Sequence, residues 1–324
     1  MAELPHIVIL GDYERALRRF SHWDKLDQQA KLTIHHEPLQ NEALYEAVKD
    51  ADAIAIVRDR SPFNGAMIAR LPKLKFLMFT GERNGTLEAA ALVSRNIPMG
   101  CTPGGPSKET TAELTWALIL SGSKRLIEQN KLIASGGWRD ELSVLPMLSG
   151  ERLGVMGLGA IGSRVARVGN AFGMEVVTWS PRMTPERAAS ENAKSVSLDE
   201  LLGTSKIVTM HLVAGPGTKG IISADQLALM RPDALLVNTS RSALINMADL
   251  QDALKIGRPG QAAVDVFDIE PLPVNDPLRN TPNLLVTPHL GFIAEPIFET
   301  FSKGITETLE AWLNQKPIPH PFNP

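Results

Sequence analysis

Short apolar runs that alternate with longer helical stretches constrain this chain more than any other feature. Apolar runs of four to six residues fit strands that are buried on both faces of a sheet, and such strands are typically parallel and joined by helical crossovers. Five runs open the chain, at residues 6–10, 32–35, 53–57, 75–79 and 97–99. The pattern therefore predicts an α/β fold built on parallel sheets.

The alternation pauses and then restarts further along the chain. Residues 107–134 form one long segment with helical spacing, and the breaker-rich stretch at residues 102–106 before it predicts a hinge. Six further apolar runs follow, at residues 152–157, 174–179, 206–211, 234–238, 262–265 and 284–287. They predict a second doubly wound sheet. A last helix is predicted at residues 295–314, with one apolar face formed by Phe298, Phe301, Ile305, Leu309 and Leu313.

Length and composition agree with two globular domains and exclude several classes of partner. The 324 residues correspond to about two domains of roughly 150 residues each. A formal net charge of −3 means that the chain has no excess of positive charge with which to bind nucleic acid or an anionic membrane. The single cysteine, Cys101, excludes an intrachain disulfide and a CxxC metal site. Because the first ten residues have no basic lead and only a short apolar run, we expect neither a signal peptide nor a membrane span there, and hence a cytoplasmic protein. We also expect no bound metal.

The segment Gly157-Leu158-Gly159-Ala160-Ile161-Gly162 matches the pattern GxGxxG of dinucleotide-binding turns. The pattern is weak alone, but here an apolar strand precedes it and a helical spacing follows it. Gly157 would permit the tight turn, Gly159 would let a pyrophosphate approach the backbone, and Gly162 would let the helix pack on the strand. The alternatives are an incidental glycine-rich turn and the similar turn of an adenosine-methionine methyltransferase.

The end of the second strand of this sheet bears on which dinucleotide is bound. An Asp or Glu at this point would bind the adenine ribose hydroxyls and repel a 2′-phosphate, but Ser180 stands there, 18 residues past Gly162. Ser180 and the nearby Arg182 could instead donate to a 2′-phosphate. The sequence therefore favours NADP(H) over NAD(H), while Pro181 and Glu186 count against that reading.

Polar side chains at the ends of the later strands mark a candidate catalytic site. Arg241, Glu270 and His289 each follow a predicted strand, and ligands of open α/β sheets bind at the carboxyl ends of strands. Together they would provide an anion clamp, a carboxylate partner and a titratable acid. Taken singly, each is equally well explained as an ordinary surface charge or a satisfied polar residue.

Several segments, in order, resemble the family of D-isomer-specific 2-hydroxyacid dehydrogenases. They are residues 102–104, 112–115, 157–162, 237–241, 265–271 and 287–291. The resemblance implies two Rossmann-like, doubly wound parallel-sheet domains, with the cofactor domain inserted into the substrate domain. Residues 1–102 with 291–324 would form the flavodoxin-like substrate domain, and residues 103–290 would form the dinucleotide-binding Rossmann domain.

The family resemblance also implies an activity and a set of roles. The activity is hydride transfer between a nicotinamide dinucleotide and a small 2-keto or D-2-hydroxy acid, with Arg241 gripping the substrate carboxylate. Glu270 would orient His289, the general acid and base. Asp265 would lie beside the nicotinamide ring, while His211 and Thr239 would line the cofactor site. The substrate loop would comprise Thr80, Gly81, Glu82, Arg83 and Asn84.

Two departures from the family pattern and one alternative function stay open. Ser242 replaces the glycine that usually follows the arginine. Residues 79–85 replace a glycine-rich run that is typical of the family, so Arg83 is either a second anion contact or a solvated loop residue. Corepressors of the C-terminal-binding-protein type use a similar fold, so a dinucleotide-sensing binding module is the alternative to an enzyme. The family further implies a homodimer, with residues 135–148, which include Trp138, as an arm that contacts the partner subunit.

Overall fold

The computed structural model describes residues 3–324. Its strands are β1 (His6–Leu10), β2 (Lys31–His35), β3 (Ala53–Ile56), β4 (Phe76–Phe79), β5 (Met99–Cys101), β6 (Arg152–Met156), β7 (Glu175–Trp179), β8 (Lys194–Ser195), β9 (Ile207–Met210), β10 (Leu235–Asn238), β11 (Gln261–Val264) and β12 (Leu284–Val286). Its helices are α1 (Asp24–Gln29), α2 (Asn41–Val48), α3 (Gly65–Ala69), α4 (Ala89–Val93), α5 (Ser107–Ser123), α6 (Leu126–Ala134), α7 (Gly162–Ala171), α8 (Pro185–Ala189), α9 (Leu198–Thr204), α10 (Ala224–Leu229), α11 (Met247–Ile256) and α12 (Glu295–Leu313). Nearly every predicted apolar run is a strand, and the predicted fold class is confirmed.

The chain divides into two compact units. Unit 1 holds the residues up to Ser107 together with Ile293–Pro324, and unit 2 is Lys108–Phe292. Each unit contains one sheet, and all strand pairs in both sheets are parallel. Because parallel sheets need helices on both faces, the alternation in the sequence leads directly to this architecture.

Unit 1 contains a five-stranded sheet in the order β2-β1-β3-β4-β5. All residues of β3 and β4 are buried, as expected for central strands of a sheet covered on both faces. Helix α12 brings the end of the chain back to this unit, and its apolar face is buried at Phe298, Phe301, Ile305 and Leu309. The sequence predicted this face correctly. No helix within residues 3–324 has both the length and the apolar character needed to cross a bilayer.

Unit 2 contains a seven-stranded sheet in the order β12-β11-β10-β9-β6-β7-β8. Strands β7 and β8 follow on one side of β6, and strands β9 to β12 follow on its other side. The direction in which the chain adds strands therefore reverses at β6. A ligand of such a sheet binds beside this reversal, at the carboxyl ends of the strands. The turn that starts at Gly157 directly follows β6 and therefore lies at this point.

The structure corrects three details of the sequence analysis. Strand β8 was not predicted, because its two residues are too short to show any periodicity. The predicted continuous helix at residues 107–134 is broken: Arg125 takes a left-handed conformation, with φ +47°, between α5 and α6. The run predicted at residues 97–99 begins as a strand only at Met99, since Pro98 has no amide hydrogen for the ladder.

Candidate active site

Three neighbouring strands of unit 2 end in the polar segments that the sequence singled out. Strand β10 leads to Arg241, β11 leads to Asp265 and Glu270, and β12 leads to His289. Because β10, β11 and β12 are adjacent and parallel, their carboxyl ends lie along one edge of the sheet. The strand order, which the sequence cannot give directly, thus brings the predicted catalytic residues to the same edge.

His289 and Glu270 form a close pair. The Nδ1 atom of His289 lies 2.6 Å from Oε2 of Glu270, and the other carboxylate oxygen accepts a hydrogen bond of 3.0 Å from the amide of Phe267. Burial would raise the pKa of Glu270, but the hydrogen bond and charge of His289 outweigh it and hold this pKa below its usual value. Glu270 is thus an anion that fixes the imidazole through Nδ1 and leaves Nε2 as the ring nitrogen for a ligand.

The backbone at His289 is held in an uncommon conformation. Its φ is +52°, in the left-handed region that a residue with a Cβ rarely occupies. Residues in such conformations persist only where their surroundings fix them, and they are concentrated at functional sites. The loop around His289 therefore needs an anchor.

Asp265 provides that anchor. Its side chain is buried, Oδ1 accepts hydrogen bonds from the Thr287 hydroxyl (2.6 Å) and the Leu290 amide (2.8 Å), and Oδ2 accepts one from the Gly291 amide (2.9 Å). Burial raises the pKa of Asp265, and these donors act against that rise. The carboxylate therefore binds the loop on both sides of His289 and positions that residue. The sequence analysis missed this role. Its predicted place beside the nicotinamide ring stays a prediction.

Arg241 is held through its backbone, while its side chain is exposed. The Asn238 side chain donates to the Arg241 carbonyl (2.9 Å) and accepts from the Ser240 amide (3.0 Å), which closes the loop after β10. The guanidinium donates to the Ser240 carbonyl at 2.7 Å and forms no ion pair with any carboxylate of residues 3–324. Its other N–H groups remain for an anionic ligand. Ser242, in place of the family glycine, starts a 3₁₀ turn, Ser242–Leu244.

The glycine-rich turn has the shape that a dinucleotide requires. Gly157 has φ +95°, and a Cβ on Gly162 would lie 2.0 Å from the Gly157 carbonyl oxygen, so neither position accepts a side chain. A Cβ on Gly159 would meet nothing within 4 Å. This open space lies at the position where a pyrophosphate approaches the backbone in turns of this type. The turn therefore fits a nicotinamide dinucleotide.

A cavity of about 390 Å³ opens beside this turn. Its lining includes Leu158, Gly159, Ala160, Ser163, Arg164, Arg167, Arg187, Ser190 and Glu191. Three of these residues are arginines, of which Arg164 pairs with Glu109 and Arg167 lies 3.9 Å from Glu191. The sequence analysis singled out none of them, because they are spread over α7 and α8 and show no motif.

The other predicted cofactor residues have varied surroundings. His211 follows β9, its Nε2 lies 2.9 Å from the Thr209 hydroxyl, and burial lowers the pKa of His211 to about 3, so the ring is neutral near pH 7. The Thr239 hydroxyl is buried and shares a hydrogen bond of 2.8 Å with Thr115. Arg182 is exposed and forms no hydrogen bond or ion pair within the described part of the chain.

The predicted substrate loop lies in unit 1 and packs on a residue that the sequence analysis missed. Arg58 donates its amide to the Thr80 hydroxyl (3.0 Å), and its carbonyl accepts from the Asn84 side chain (2.9 Å). Gly81 has φ +86°, and a Cβ there would lie 2.0 Å from an Arg58 guanidinium nitrogen. Gly81 is thus required for the contact, while Glu82 and Arg83 are exposed.

Comparison with known proteins identifies the family. Residues 116–291 match the model of the D-isomer specific 2-hydroxyacid dehydrogenase, NAD binding domain. The chain is 32% identical over 311 residues to a glyoxylate reductase of Aeropyrum pernix, covering 93% of this chain and 88% of that protein. The chain belongs to this family. It is an oxidoreductase with a domain for a nicotinamide dinucleotide, as the resemblance implied.

Two further relatives of this dehydrogenase differ in length. A D-3-phosphoglycerate dehydrogenase of Methanocaldococcus jannaschii is 33% identical over 258 residues, which are 79% of this chain but 49% of that protein. The crystal structure of a phosphoglycerate oxidoreductase from Vibrio cholerae covers 96% of this chain and is itself covered completely, with 30% identity and a TM-score of 0.88. The fold of the dehydrogenase thus matches that structure over 96% of this chain.

Two glycines of the turn allow cofactor binding to be separated from folding in this dehydrogenase. In Gly159→Ala the added methyl group meets nothing in the free protein but fills the space for the pyrophosphate. We expect an unchanged melting temperature and a dinucleotide Kd that rises at least about tenfold. In Gly162→Ala the methyl group collides with a backbone carbonyl, so the free energy of unfolding should fall by about 1–3 kcal/mol. Thermal unfolding and quenching of tryptophan fluorescence measure both effects. Wild-type dinucleotide affinity in Gly159→Ala would contradict the assignment.

Proposed function

We propose that this dehydrogenase interconverts small 2-keto acids and D-2-hydroxy acids, with Arg241, Glu270 and His289 as its catalytic residues. The observation that carries the proposal is the 2.6 Å contact of His289 with Glu270, on the same sheet edge as Arg241. Relatives named glyoxylate reductase and D-3-phosphoglycerate dehydrogenase support small acids as the substrate class. On this proposal unit 2 is the dinucleotide-binding domain, predicted at residues 103–290, and unit 1 is the substrate domain.

Each catalytic residue has a chemical task that its surroundings suit. Glu270 fixes His289 through Nδ1, so that Nε2 gives a proton to the keto oxygen as it becomes a hydroxyl, and takes it back in the reverse direction. The negative charge of Glu270 stabilises the imidazolium form that donates this proton. The nicotinamide ring, when bound, supplies or accepts the hydride.

Arg241 recognises the acid group of the substrate. Its planar guanidinium can donate two parallel hydrogen bonds, which matches a carboxylate next to a keto oxygen better than the point charge of a lysine. The absence of a carboxylate partner among the described residues leaves its charge available to the substrate. Thr80, Gly81, Glu82, Arg83 and Asn84 are proposed as additional substrate contacts.

We also propose NADP(H) as the preferred dinucleotide. The residue after β7 is Ser180, so no acid is present there to repel a 2′-phosphate. Glu186, which could have neutralised a nearby arginine, accepts hydrogen bonds from its own amide and from Thr184, and these lower the pKa of its carboxyl. Ser180 and the exposed Arg182, which has no carboxylate partner among residues 3–324, support a ligand with an added phosphate.

A homodimer is proposed from the exposed apolar side chains of one segment of unit 2. Trp138, Val144 and Met147 are 71%, 92% and 71% exposed, and Leu126, Ile127 and Ile133 on α6 are about half exposed. Exposed apolar side chains as frequent as these along residues 126–147 are typical of an interaction surface. A second copy of the chain is the proposed partner.

Replacement of His289 tests the proposed mechanism. His289→Asn keeps a polar side chain of similar size but cannot transfer the proton, so we expect kcat to fall by about 10²- to 10⁴-fold with an unchanged dinucleotide Kd. Glu270→Gln keeps the hydrogen-bond acceptor but removes the charge that stabilises the imidazolium. For this variant we expect kcat to fall by less than in His289→Asn, with an unchanged dinucleotide Kd. A His289→Asn enzyme within threefold of the wild-type kcat would remove His289 from the mechanism.

A panel of acids tests the activity and the cofactor preference. Glyoxylate, hydroxypyruvate, phosphohydroxypyruvate and pyruvate are offered with NADPH and with NADH, and oxidation is followed at 340 nm. We expect turnover of at least one acid, with kcat/KM for NADPH about tenfold or more above that for NADH, since a phosphate gains charge-assisted hydrogen bonds. No turnover on any acid would instead favour the dinucleotide-sensing binding module. A tenfold preference for NADH would contradict the cofactor proposal alone.

Light scattering tests the homodimer. We expect a mass of about twice the 35.2 kDa of one chain at micromolar concentration. Trp138→Asp with Val144→Asp should yield the monomer, because charges would replace the apolar contact. Ile256→Asp is the matched control, since Ile256 is 82% exposed at the end of α11, and it should leave the dimer intact. A wild-type mass near that of one chain would refute the proposal.

A further inference from the structure

Arg187 on helix α8 contacts the glycine-rich turn directly. Its guanidinium donates a hydrogen bond of 3.1 Å to the Leu158 carbonyl, which lies between Gly157 and Gly159. Thr184 caps the start of α8 and accepts a hydrogen bond from the Arg187 amide, so the position of Arg187 on the helix is set by the cap. The sequence analysis considered only Arg182 on this stretch of chain.

The turn and the end of β7 are joined at the same point. The Gly157 amide donates to the Trp179 carbonyl at 2.9 Å, which brings Ser180 next to the turn. In dinucleotide-binding folds of this type, the adenine ribose lies against the residue after this second strand and against the glycine-rich turn. The guanidinium of Arg187, bonded to Leu158, and Ser180, which follows Trp179, are thus both held beside the same turn.

The charge of Arg187 distinguishes it from the other arginines of the cavity. Arg164 pairs with Glu109, and Arg167 lies 3.9 Å from Glu191. Within residues 3–324, Arg187 has no carboxylate within ion-pair distance, and its hydrogen bond to Leu158 uses only one of its five N–H groups. It is thus the arginine of the cavity whose charge is not neutralised. Among the described residues Arg182 has no carboxylate partner either, but it forms no hydrogen bond with the turn.

We infer that Arg187 is the residue that selects a 2′-phosphorylated adenosine, and thus NADP(H) over NAD(H). This inference rests on the proposed preference for NADP(H) and deepens it. A phosphate between Ser180 and Arg187 accepts a hydrogen bond from the Ser180 hydroxyl and charge-assisted hydrogen bonds from the Arg187 guanidinium. An adenosine without this phosphate forms neither interaction. Arg182, which the sequence favoured for this role, is secondary.

Binding of two nucleotide fragments tests the inference without any turnover. Adenosine 2′,5′-bisphosphate and adenosine 5′-monophosphate are titrated by calorimetry into wild type and into Arg187→Ala, Arg182→Ala and Arg167→Ala. In Arg187→Ala we expect the Kd of the bisphosphate to rise by about 10- to 100-fold and that of the monophosphate to change less than threefold. Arg167→Ala is the matched control, because it removes the same charge from the same cavity and should change both Kd values less than threefold.

The outcomes separate this inference from the proposal on which it rests. Equal wild-type affinities for the two nucleotides would overturn both the preference for NADP(H) and the role of Arg187. A wild-type preference for the bisphosphate that survives in Arg187→Ala, or that Arg182→Ala abolishes to a greater extent, overturns the role of Arg187 alone. An equal loss for both nucleotides in Arg187→Ala also overturns it, since that result indicates damage to the turn.

Discussion

The buried carboxylate of Asp265 is the interaction on which the rest of the candidate active site depends. Burying a charge is costly unless hydrogen bonds compensate for it, and Asp265 accepts three, from Thr287, Leu290 and Gly291. Those donors lie on both sides of His289. The carboxylate thus stabilises a loop whose central residue, His289, has an unfavourable backbone conformation. In this way it fixes the position of the imidazole.

A second contact extends this anchor to the helix that opens unit 2. The hydroxyl of Thr111 on α5 donates to the Gly291 carbonyl at 2.8 Å, while the Gly291 amide is bound by Asp265. Both backbone groups of Gly291 are therefore satisfied inside the protein, as buried peptide groups require. Glu270 then needs only to orient the ring of His289, because the backbone is already fixed.

The arginines of unit 2 fall into two classes according to their partners. Arg231 binds Asp233 and Glu151, and the hydrogen bonds and charges of Arg231 and Lys206 lower the pKa of Asp233 to about 2. That carboxylate is charged throughout the neutral range, and its stabilising contribution is lost only as the pH falls towards 2. Arg241 and Arg187 instead donate to backbone carbonyls and keep their charge unneutralised. The first class serves the fold, and the second is available to anions.

The sequence by itself determined the fold class and the glycine-rich turn, because burial on both faces of a parallel strand and the pattern GxGxxG are local properties of the chain. It also singled out Arg241, Glu270 and His289 as candidates from their places after predicted strands. It did not determine β8 or the break at Arg125, since two residues carry no period and a left-handed arginine has no signature. Only the tertiary structure decided which groups meet: Thr111 contacts Gly291 across 180 positions of sequence, and Arg187 rather than Arg182 reaches Leu158. Such contacts depend on strand order and on the direction in which each loop leaves its strand, and neither is encoded in the spacing of residues.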